Sequence, residues 1–391
     1  MATAGDKEAL PHLTEFLKDL YHCSDCGYCV EAIWEERGVD HVCATLRSHS
    51  PALGYSGQGY LKLARAWVEG ESLPLPGLAE RVFSCTGCGN CERICPIGLR
   101  PMHINRALRR ELDDRGAVPG SAAAVREGIA AEQNPAGAPF AERYAWAPAL
   151  DARRDGEALF LPGCAAAHGR PAEARAAVAL LEAADVGVQL LGDADRCCGA
   201  PLRELGMAED ARRQGGLLEA RLAECSYDFL LTSGCECANT FAGVDRHRSF
   251  VAWLAEALSG GTLRATPRAR LPRVACLESC QATQAAQAGA GNDNQALREL
   301  LAALGIEVIG AAATPYRLCC GAAGGMAAMQ PESSLAMARA RIREISGAEA
   351  LVSADPRCVA QFEAAREAGD PPVYGVAEFI AQHFACGGQE S

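Results

Sequence analysis

Cysteines at short, regular spacing are the residues of this sequence that could do chemistry. Sixteen of the twenty cysteines fall into four groups of four, and the clearest group reads CTGCGNCERICP over residues 85–96. Three thiolates spaced two residues apart can wrap one face of an iron–sulfur cubane, and the fourth follows directly before a proline. A zinc site needs only two CxxC pairs, so the full run predicts iron–sulfur ligation. The predicted ligands are Cys85, Cys88, Cys91 and Cys95.

An earlier group begins in the same way, with Cys23, Cys26 and Cys29. Its fourth cysteine, Cys43, follows after thirteen residues instead of three. In bacterial ferredoxin runs the last cysteine ligates the neighbouring cluster. The sequence therefore predicts two 4Fe–4S clusters with crossed ligation, in which Cys95 completes the cluster of the earlier group and Cys43 completes the later one. A buried structural thiol is the alternative for Cys43.

Two further groups lie in the second half of the chain, each in the order Cys, Cys-Cys, Cys. The first set is Cys164, Cys197, Cys198 and Cys237, and the second set is Cys280, Cys319, Cys320 and Cys358. The shifts between them are 116, 122 and 121 residues, which indicates an internal duplication. Each cysteine follows a predicted strand, and ligands of open parallel sheets lie at the carboxyl ends of strands. Each set can therefore converge, and four thiolates favour an iron–sulfur cluster or zinc.

The elements that must position these cysteines change character along the chain. Residues 1–115 are predicted to be mainly helical and to close with an amphipathic helix that stops at Gly116. Residues 116–155 are predicted to be a linker with some helix. Beyond the linker, short apolar runs alternate with helical segments in the order βαβαβ, which predicts parallel sheets. The predicted modules span 156–262 and 270–385, so the fold class is α+β multidomain.

Composition restricts the class of protein. A chain of 391 residues with 49% hydrophobic and 22% charged residues is an ordinary globular protein of two or three domains. The net charge of −12 argues against a nucleic-acid partner. Neither a membrane-spanning apolar run nor a signal peptide is recognisable in the sequence. Many cysteines without a secretory signal predict a reducing compartment, so we expect a cytoplasmic protein, peripheral to the membrane only through a partner.

Four short motifs surround cysteines of the second half: FLPGC at Cys164, CCGAP at 197–201, ESC at Cys280 and CCGAAGG at 319–325. These motifs resemble those of the CCG-domain family, the duplicated cysteine-rich module of heterodisulfide reductase. The iron–sulfur subunits of glycolate oxidase, D-lactate oxidase and anaerobic glycerol-3-phosphate dehydrogenase share this module. The resemblance covers essentially the whole chain. It implies a two-cluster ferredoxin domain followed by two α/β CCG modules.

The resemblance also implies clusters in the CCG modules. In heterodisulfide reductase a complete module binds a non-cubane cluster through five cysteines, and the last two are spaced CxxC. Here Gly234 and Asp355 replace the first of those two, which moves the chain towards the oxidase-type subunits. The extra cysteines Cys235 and Cys276 lie beside predicted ligands, and Cys235 is the better candidate for a fifth thiolate. One or two further iron–sulfur clusters, cubane or non-cubane, are therefore expected.

The sequence carries no recognisable flavin or nicotinamide motif, since GYSGQGY at 54–60 is not GxGxxG after a strand. Two-electron organic oxidation requires a hydride-handling cofactor, whereas clusters transfer single electrons. We therefore expect an electron-transfer subunit that connects a flavoprotein, either an FAD-linked oxidase or an electron-transfer flavoprotein, with a quinone, disulfide or low-potential acceptor. A membrane haem or quinone-linked subunit is a further expected partner. Two alternatives stay open: a heterodisulfide-reductase-like catalytic subunit that uses a CCG-bound cluster, and a zinc-stapled scaffold.

Overall fold

The computed structural model of the chain describes residues 9–31, 42–147, 156–289, 291–310 and 319–388. The chain divides into two compact units, which we describe separately. Unit 1 contains Met1–Arg126, Pro201–Asp210 and Thr314–Met337. Unit 2 contains Glu127–Ala200, Ala211–Ala313 and Ala338–Ser391.

The helices and strands follow the predicted order closely. The helices are α1 (Pro11–Thr14), α2 (Leu17–His22), α3 (Ala44–Ser48), α4 (Gly57–Val68), α5 (Leu75–Phe83), α6 (Asn90–Arg93), α7 (Pro101–Asp114), α8 (Gly120–Glu132), α9 (Pro171–Ala183), α10 (Ala200–Glu204), α11 (Ala208–Ala223), α12 (Cys235–Thr240), α13 (Phe250–Ser259), α14 (Cys280–Gln287), α15 (Asp293–Ala303), α16 (Met326–Met329), α17 (Pro331–Arg343), α18 (Pro356–Ala365) and α19 (Val376–His383). The strands are β1 (Ala158–Leu161), β2 (Val188–Gln189), β3 (Phe229–Thr232), β4 (His247–Ser249), β5 (Arg264–Pro267), β6 (Val274–Cys276), β7 (Val308–Ile309), β8 (Ala350–Ser353), β9 (Val373–Gly375) and β10 (Phe384–Gly387). A π-helical turn covers Ala165–Gly169, and 3₁₀ turns cover Leu53–Tyr55, Phe140–Glu142 and Gly192–Ala194.

Unit 1 is built around the predicted amphipathic helix α7, which packs on α4 and α5. Ile104, Leu108 and Leu112 recur at helical spacing and are completely buried. The buried guanidinium of Arg109 donates to the carbonyl oxygens of Val82 and Cys85 at 2.6–3.0 Å. The Arg109 guanidinium thus satisfies carbonyl groups at the end of α5. These hydrogen bonds anchor the loop that carries the later cysteine group.

Unit 2 contains two four-stranded parallel sheets with the same strand order, β2-β1-β3-β4 and β7-β6-β8-β9. The strands pair in matching registers: Leu159 lies opposite Leu230 in the first sheet, and Ala275 lies opposite Leu351 in the second. The parallel sheets and the α+β fold class are therefore confirmed. The outer strands β4 and β9 were not predicted, and neither was the antiparallel pair of β5 and β10. Strand β4 reads His-Arg-Ser, so it has no apolar run that could have indicated it.

The two modules within unit 2 pack on each other through equivalent helices. Helix α9 packs on α19 and α15 packs on α13, while α12 contacts α14 and α18 contacts the π-helical turn. Glu236 and Arg357, which are equivalent positions at a shift of 121, form an ion pair at 3.8 Å. This arrangement has approximate two-fold symmetry, and one hydrophobic core runs through both modules.

A buried carboxylate lies where α9 meets α19. Glu173 is 4% exposed, and its two carboxylate oxygens accept the backbone N–H groups of Ala377 and Glu378 at 3.0 and 2.8 Å. Burial raises the pKa of Glu173 to about 7, from an ordinary value of 4.5. Because the folded state holds this proton more tightly, the associated stability is fully present below about pH 4.5. It is lost as the pH rises through about 7.

The pKa of Glu173 predicts a pH-dependent difference between the wild type and Glu173→Gln. The free energy of unfolding of the wild type, relative to the variant, should fall by roughly 3 kcal/mol between about pH 4.5 and about pH 7.5. Anaerobic chemical denaturation at both pH values measures it. Glu182→Gln, which removes a carboxylate at an exposed position of the same helix, is the matched control. A constant difference for Glu173→Gln would contradict the prediction.

Candidate iron–sulfur sites

The earlier cysteine group of unit 1 lines a cleft of about 340 Å³, here called cleft A. Its cysteines are Cys23, Cys26, Cys29 and Cys95. Apolar side chains, including Leu61 and Ile97, form part of its wall, and the backbone N–H of Leu99 donates to the Cys95 sulfur at 3.3 Å. The structure therefore brings Cys95 to the triplet from which it is distant in sequence.

The later group lines a second cleft of about 330 Å³, cleft B. Its cysteines are Cys43, Cys85, Cys88 and Cys91. Asn90 Nδ2 donates to the carbonyl of Val42 at 3.2 Å, which ties the Cys43 segment to α6. A Cβ on Gly57 would lie 2.6 Å from the Cys91 Cβ, so glycine allows α4 to pass close to this cleft. Clefts A and B bring together the two sets named by the crossed-ligation prediction, while ligation itself stays a prediction.

Burial controls the protonation of one thiol in each cleft. Burial, followed by the charges of neighbouring thiols, raises the pKa of Cys29 to about 12. Burial also raises the pKa of Cys43 to about 12. Such thiols become thiolates only when a metal supplies compensating positive charge. The donor set in both clefts therefore fits an iron–sulfur cluster.

A single metal ion fits these clefts less well. Among the residues that the structure describes, no three thiol, imidazole or carboxylate groups lie close enough together to hold one ion. A zinc ion with Zn–S bonds of about 2.3 Å would hold its thiolates about 4 Å apart. The separation of these thiols therefore favours a larger cofactor over the zinc alternative.

The second CCG set is divided between the units. Cys319 and Cys320 lie in unit 1, and Cys280 and Cys358 lie in unit 2. Within unit 1, Gly324 has φ +66°, and a Cβ there would lie 2.3 Å from the carbonyl carbon of Thr86. Burial, and after it the charge of the Cys319 thiol, raise the pKa of Cys88 to about 11. The loop 319–325 thus packs directly on the backbone beside cleft B.

The first CCG set lies entirely in unit 2, at the carboxyl ends of β1 and β3, around a cleft of about 230 Å³ called cleft C. Cys164, Cys198 and Cys237 line this cleft, and the Cys198 and Cys237 sulfurs are 3.5 Å apart. Cys197 hydrogen bonds to the Cys164 thiol, and this contact, with a smaller contribution from Arg143, lowers the pKa of Cys164. The four thiols of the first set therefore converge, as predicted from the strand order.

Cys235, the candidate fifth thiolate of this set, points elsewhere. Its thiol is completely buried and lies 3.6 Å from Asp293 Oδ2, whose other oxygen accepts from Ser249. Residues two apart on a helix are rotated by roughly 200°, so Cys235 and Cys237 occupy opposite faces of α12. The structure therefore places the Cys235 thiol away from cleft C, and its ligation to the first set stays a prediction.

Asp355 is also occupied. It is completely buried, accepts from the Ser279 hydroxyl at 2.7 Å, and caps α18 by accepting the Arg357 N–H at 3.0 Å. Both carboxylate oxygens of Asp355 therefore accept hydrogen bonds within the protein.

Sequence reasoning missed Arg143 and Asp195, which line cleft C together with the cysteines. Arg143 falls in the stretch 116–155, which was predicted to be a linker. No spacing or motif connects it to the cysteines, so no sequence signal could have identified it.

Comparisons with known proteins agree with this arrangement. A cysteine-rich domain (CCG) model matches residues 158–242 and 274–363, and a 4Fe–4S dicluster domain model matches residues 19–99. These matches indicate iron–sulfur clusters. Among the described residues, no helix is both long and apolar enough to cross a bilayer.

Three relatives illustrate how far the similarity extends. The D subunit of the dihydromethanophenazine:CoB–CoM heterodisulfide reductase of Methanosarcina barkeri is 25% identical to this chain over 403 residues. The match covers 94% of both chains. The equivalent protein of Methanosarcina mazei is 26% identical over 200 residues, covering 49% of this chain and 48% of that protein. A "probable membrane-anchored ferredoxin" of Chromohalobacter salexigens is 28% identical over 310 residues, covering 73% of this chain and 45% of that protein. The chain therefore combines a 4Fe–4S dicluster domain with two CCG cysteine-rich domains and is homologous to this heterodisulfide reductase subunit.

Proposed function

We propose that this protein is the iron–sulfur electron-transfer subunit of a heterodisulfide-reductase-like oxidoreductase complex. The observation that carries the proposal is the pair of clefts A and B, each lined by four cysteines that include one from a distant part of the chain. In this proposal each cleft holds one 4Fe–4S cluster through its four thiolates. Such clusters supply one-electron oxidation and reduction.

The protein's own residues would orient and shield these clusters. The Tyr60 side chain is buried and lines cleft B together with Cys85. The Leu99 N–H donates to the Cys95 sulfur in cleft A. Hydrogen bonds to ligand sulfurs stabilise the reduced state of a cluster and so raise its potential.

Within unit 1, the loop 319–325 brings two CCG cysteines close to cleft B. It carries Cys319 and Cys320, and Gly324 lets it lie against the backbone of Thr86. The Cys88 and Cys319 thiols are close enough to interact electrostatically. Within unit 2, the thiols of the first CCG set at cleft C would hold a further cluster.

The partners follow from the chemistry that clusters lack. A flavoprotein subunit would convert a two-electron reaction into single electrons. The acceptor would be a disulfide, a quinone or a low-potential carrier, and a membrane haem or quinone-linked subunit would hold the complex at the cytoplasmic face. The names of the Methanosarcina relatives, which contain both a disulfide and dihydromethanophenazine, support acceptors and donors of this kind.

The proposal is tested on anaerobically reconstituted full-length protein. We expect about eight irons from clefts A and B alone, and dithionite reduction should produce cluster signals in electron paramagnetic resonance. The dithionite-free, reduced protein is then mixed with hydroxyethyl disulfide. Clusters that stay reduced support a relay that needs its partner, whereas rapid reoxidation with release of two thiols per two electrons would support the catalytic alternative. Stoichiometric zinc without iron would overturn both.

A further inference from the structure

The Arg143 side chain lies against cleft C although nothing in the cysteine motifs involves it. It is 3% exposed, its Nε donates to Asp195 Oδ2 at 2.6 Å, and its Nη1 lies 3.6 Å from the Cys164 sulfur. A guanidinium is always charged and presents donors in a rigid fork. One side of this fork is therefore held by a carboxylate, while the other faces a predicted cluster ligand.

The surrounding residues hold this orientation. Asp195 is 1% exposed, and it also accepts from the Tyr144 hydroxyl and from the backbone N–H of Arg196. The backbone of Arg143 is held as well, because its carbonyl accepts the indole N–H of Trp146 at 2.8 Å. The guanidinium cannot turn away from Cys164 without breaking the buried ion pair.

Arg196 also lines cleft C, but its guanidinium is engaged differently. Its Nη1 donates to the carbonyl oxygens of Asp193 and Asp195 at 2.9 and 2.7 Å, and its guanidinium lies over the Phe140 ring. The nearby His168 interacts electrostatically with Arg143, Glu142 and Asp195. Arg143 is thus the cation of this cleft that directly contacts a cysteine sulfur.

A buried ion pair is costly to desolvate and is weak evidence of a purely stabilising role. A cationic donor beside a ligand sulfur has a specific electronic effect, since it favours the more negative, reduced cluster. We propose that Arg143 is a positioning residue that donates to the Cys164 sulfur and raises the reduction potential of the cluster in cleft C. This inference depends on the proposed function, because it requires a cluster at that set.

The experiment compares potentials in anaerobically reconstituted full-length protein. Redox titration by electron paramagnetic resonance follows the signal that Cys198→Ser removes. At the wild-type midpoint potential, Arg143→Gln should lower the reduced-to-oxidised ratio of this cluster roughly tenfold, equivalent to about 59 mV for one electron. Arg143→Lys, which keeps the charge but not the fork, should shift it less. Tyr144→Phe removes one hydrogen bond to Asp195 and changes no group that contacts a sulfur. It should lower the reduced-to-oxidised ratio slightly.

A control variant and measurements of iron content keep the inference falsifiable. Arg196→Gln removes a charge from the same cleft and should produce a smaller shift than Arg143→Gln. Full iron content with an unchanged potential in Arg143→Gln would overturn the inference, and so would loss of iron in both Arg143→Gln and Arg143→Lys, since Arg143 would then be structural. If Cys198→Ser removes no signal of the wild type, the proposed cluster itself is absent, and this outcome is distinct from any effect of Arg143.

Discussion

Replacing Cys95 with serine should remove the cluster of cleft A and leave that of cleft B, although Cys95 belongs to the sequence run of cleft B. The reason is the position of Cys95 in the wall formed by Cys23, Cys26 and Cys29. Each cluster requires four thiolates, so the variant should lose about four of about eight irons from these two clefts. Iron and sulfide analysis measures the loss, and electron paramagnetic resonance identifies the cluster that survives.

The corresponding variant of cleft B tests the same crossed-ligation prediction. Cys43→Ser should remove the same signal as Cys88→Ser, because both residues line cleft B. Cys225→Ser is the matched control, since the Cys225 thiol donates to the carbonyl of Arg221 at 3.4 Å and belongs to none of the four cysteine sets, so its iron content should be unchanged. If Cys95→Ser and Cys88→Ser abolish the same signal, ligation is not crossed. An unaltered Cys43→Ser protein would make Cys43 a structural thiol.

Replacing Cys198 with serine should abolish iron binding at cleft C. Cys198 is buried, its sulfur lies 3.5 Å from that of Cys237, and it lines the cleft with Cys164. A serine hydroxyl is a harder and less acidic ligand than a thiol, so it does not replace a thiolate toward iron. Iron analysis and the signals of the remaining clusters measure the loss, which should equal the whole content of this site.

Cys235→Ser tests whether Cys235 is a fifth thiolate of the first CCG set. Because the Cys235 thiol faces Asp293, this variant should retain the iron of cleft C. Equal loss of iron in Cys235→Ser and Cys198→Ser would show that Cys235 is a ligand after all. Cys386→Ser, at a half-buried position on β10, serves as a second control.

Much of the fold was predictable because its signals are local. The apolar runs of β1, β3 and β8 are buried on both faces, as parallel strands are, and helices between them carry their own periodicity. The duplication was readable from the repeated order of cysteines and elements. The polar strand β4 escaped prediction because its place at the sheet edge depends on pairing with β3, not on its own residues.

The sequence by itself determined which thiols share a turn and how often the pattern repeats, because spacings of a few residues translate directly into local geometry. The sequence also predicted which distant thiol joins each triplet, but only the tertiary structure shows how Cys43 and Cys95 reach clefts B and A, namely through the packing of whole helices. The tertiary structure also decided that Cys235 faces Asp293 and that Arg143 faces Cys164. Side-chain direction on a short helix and contacts between remote segments are set by packing, and no local spacing encodes them.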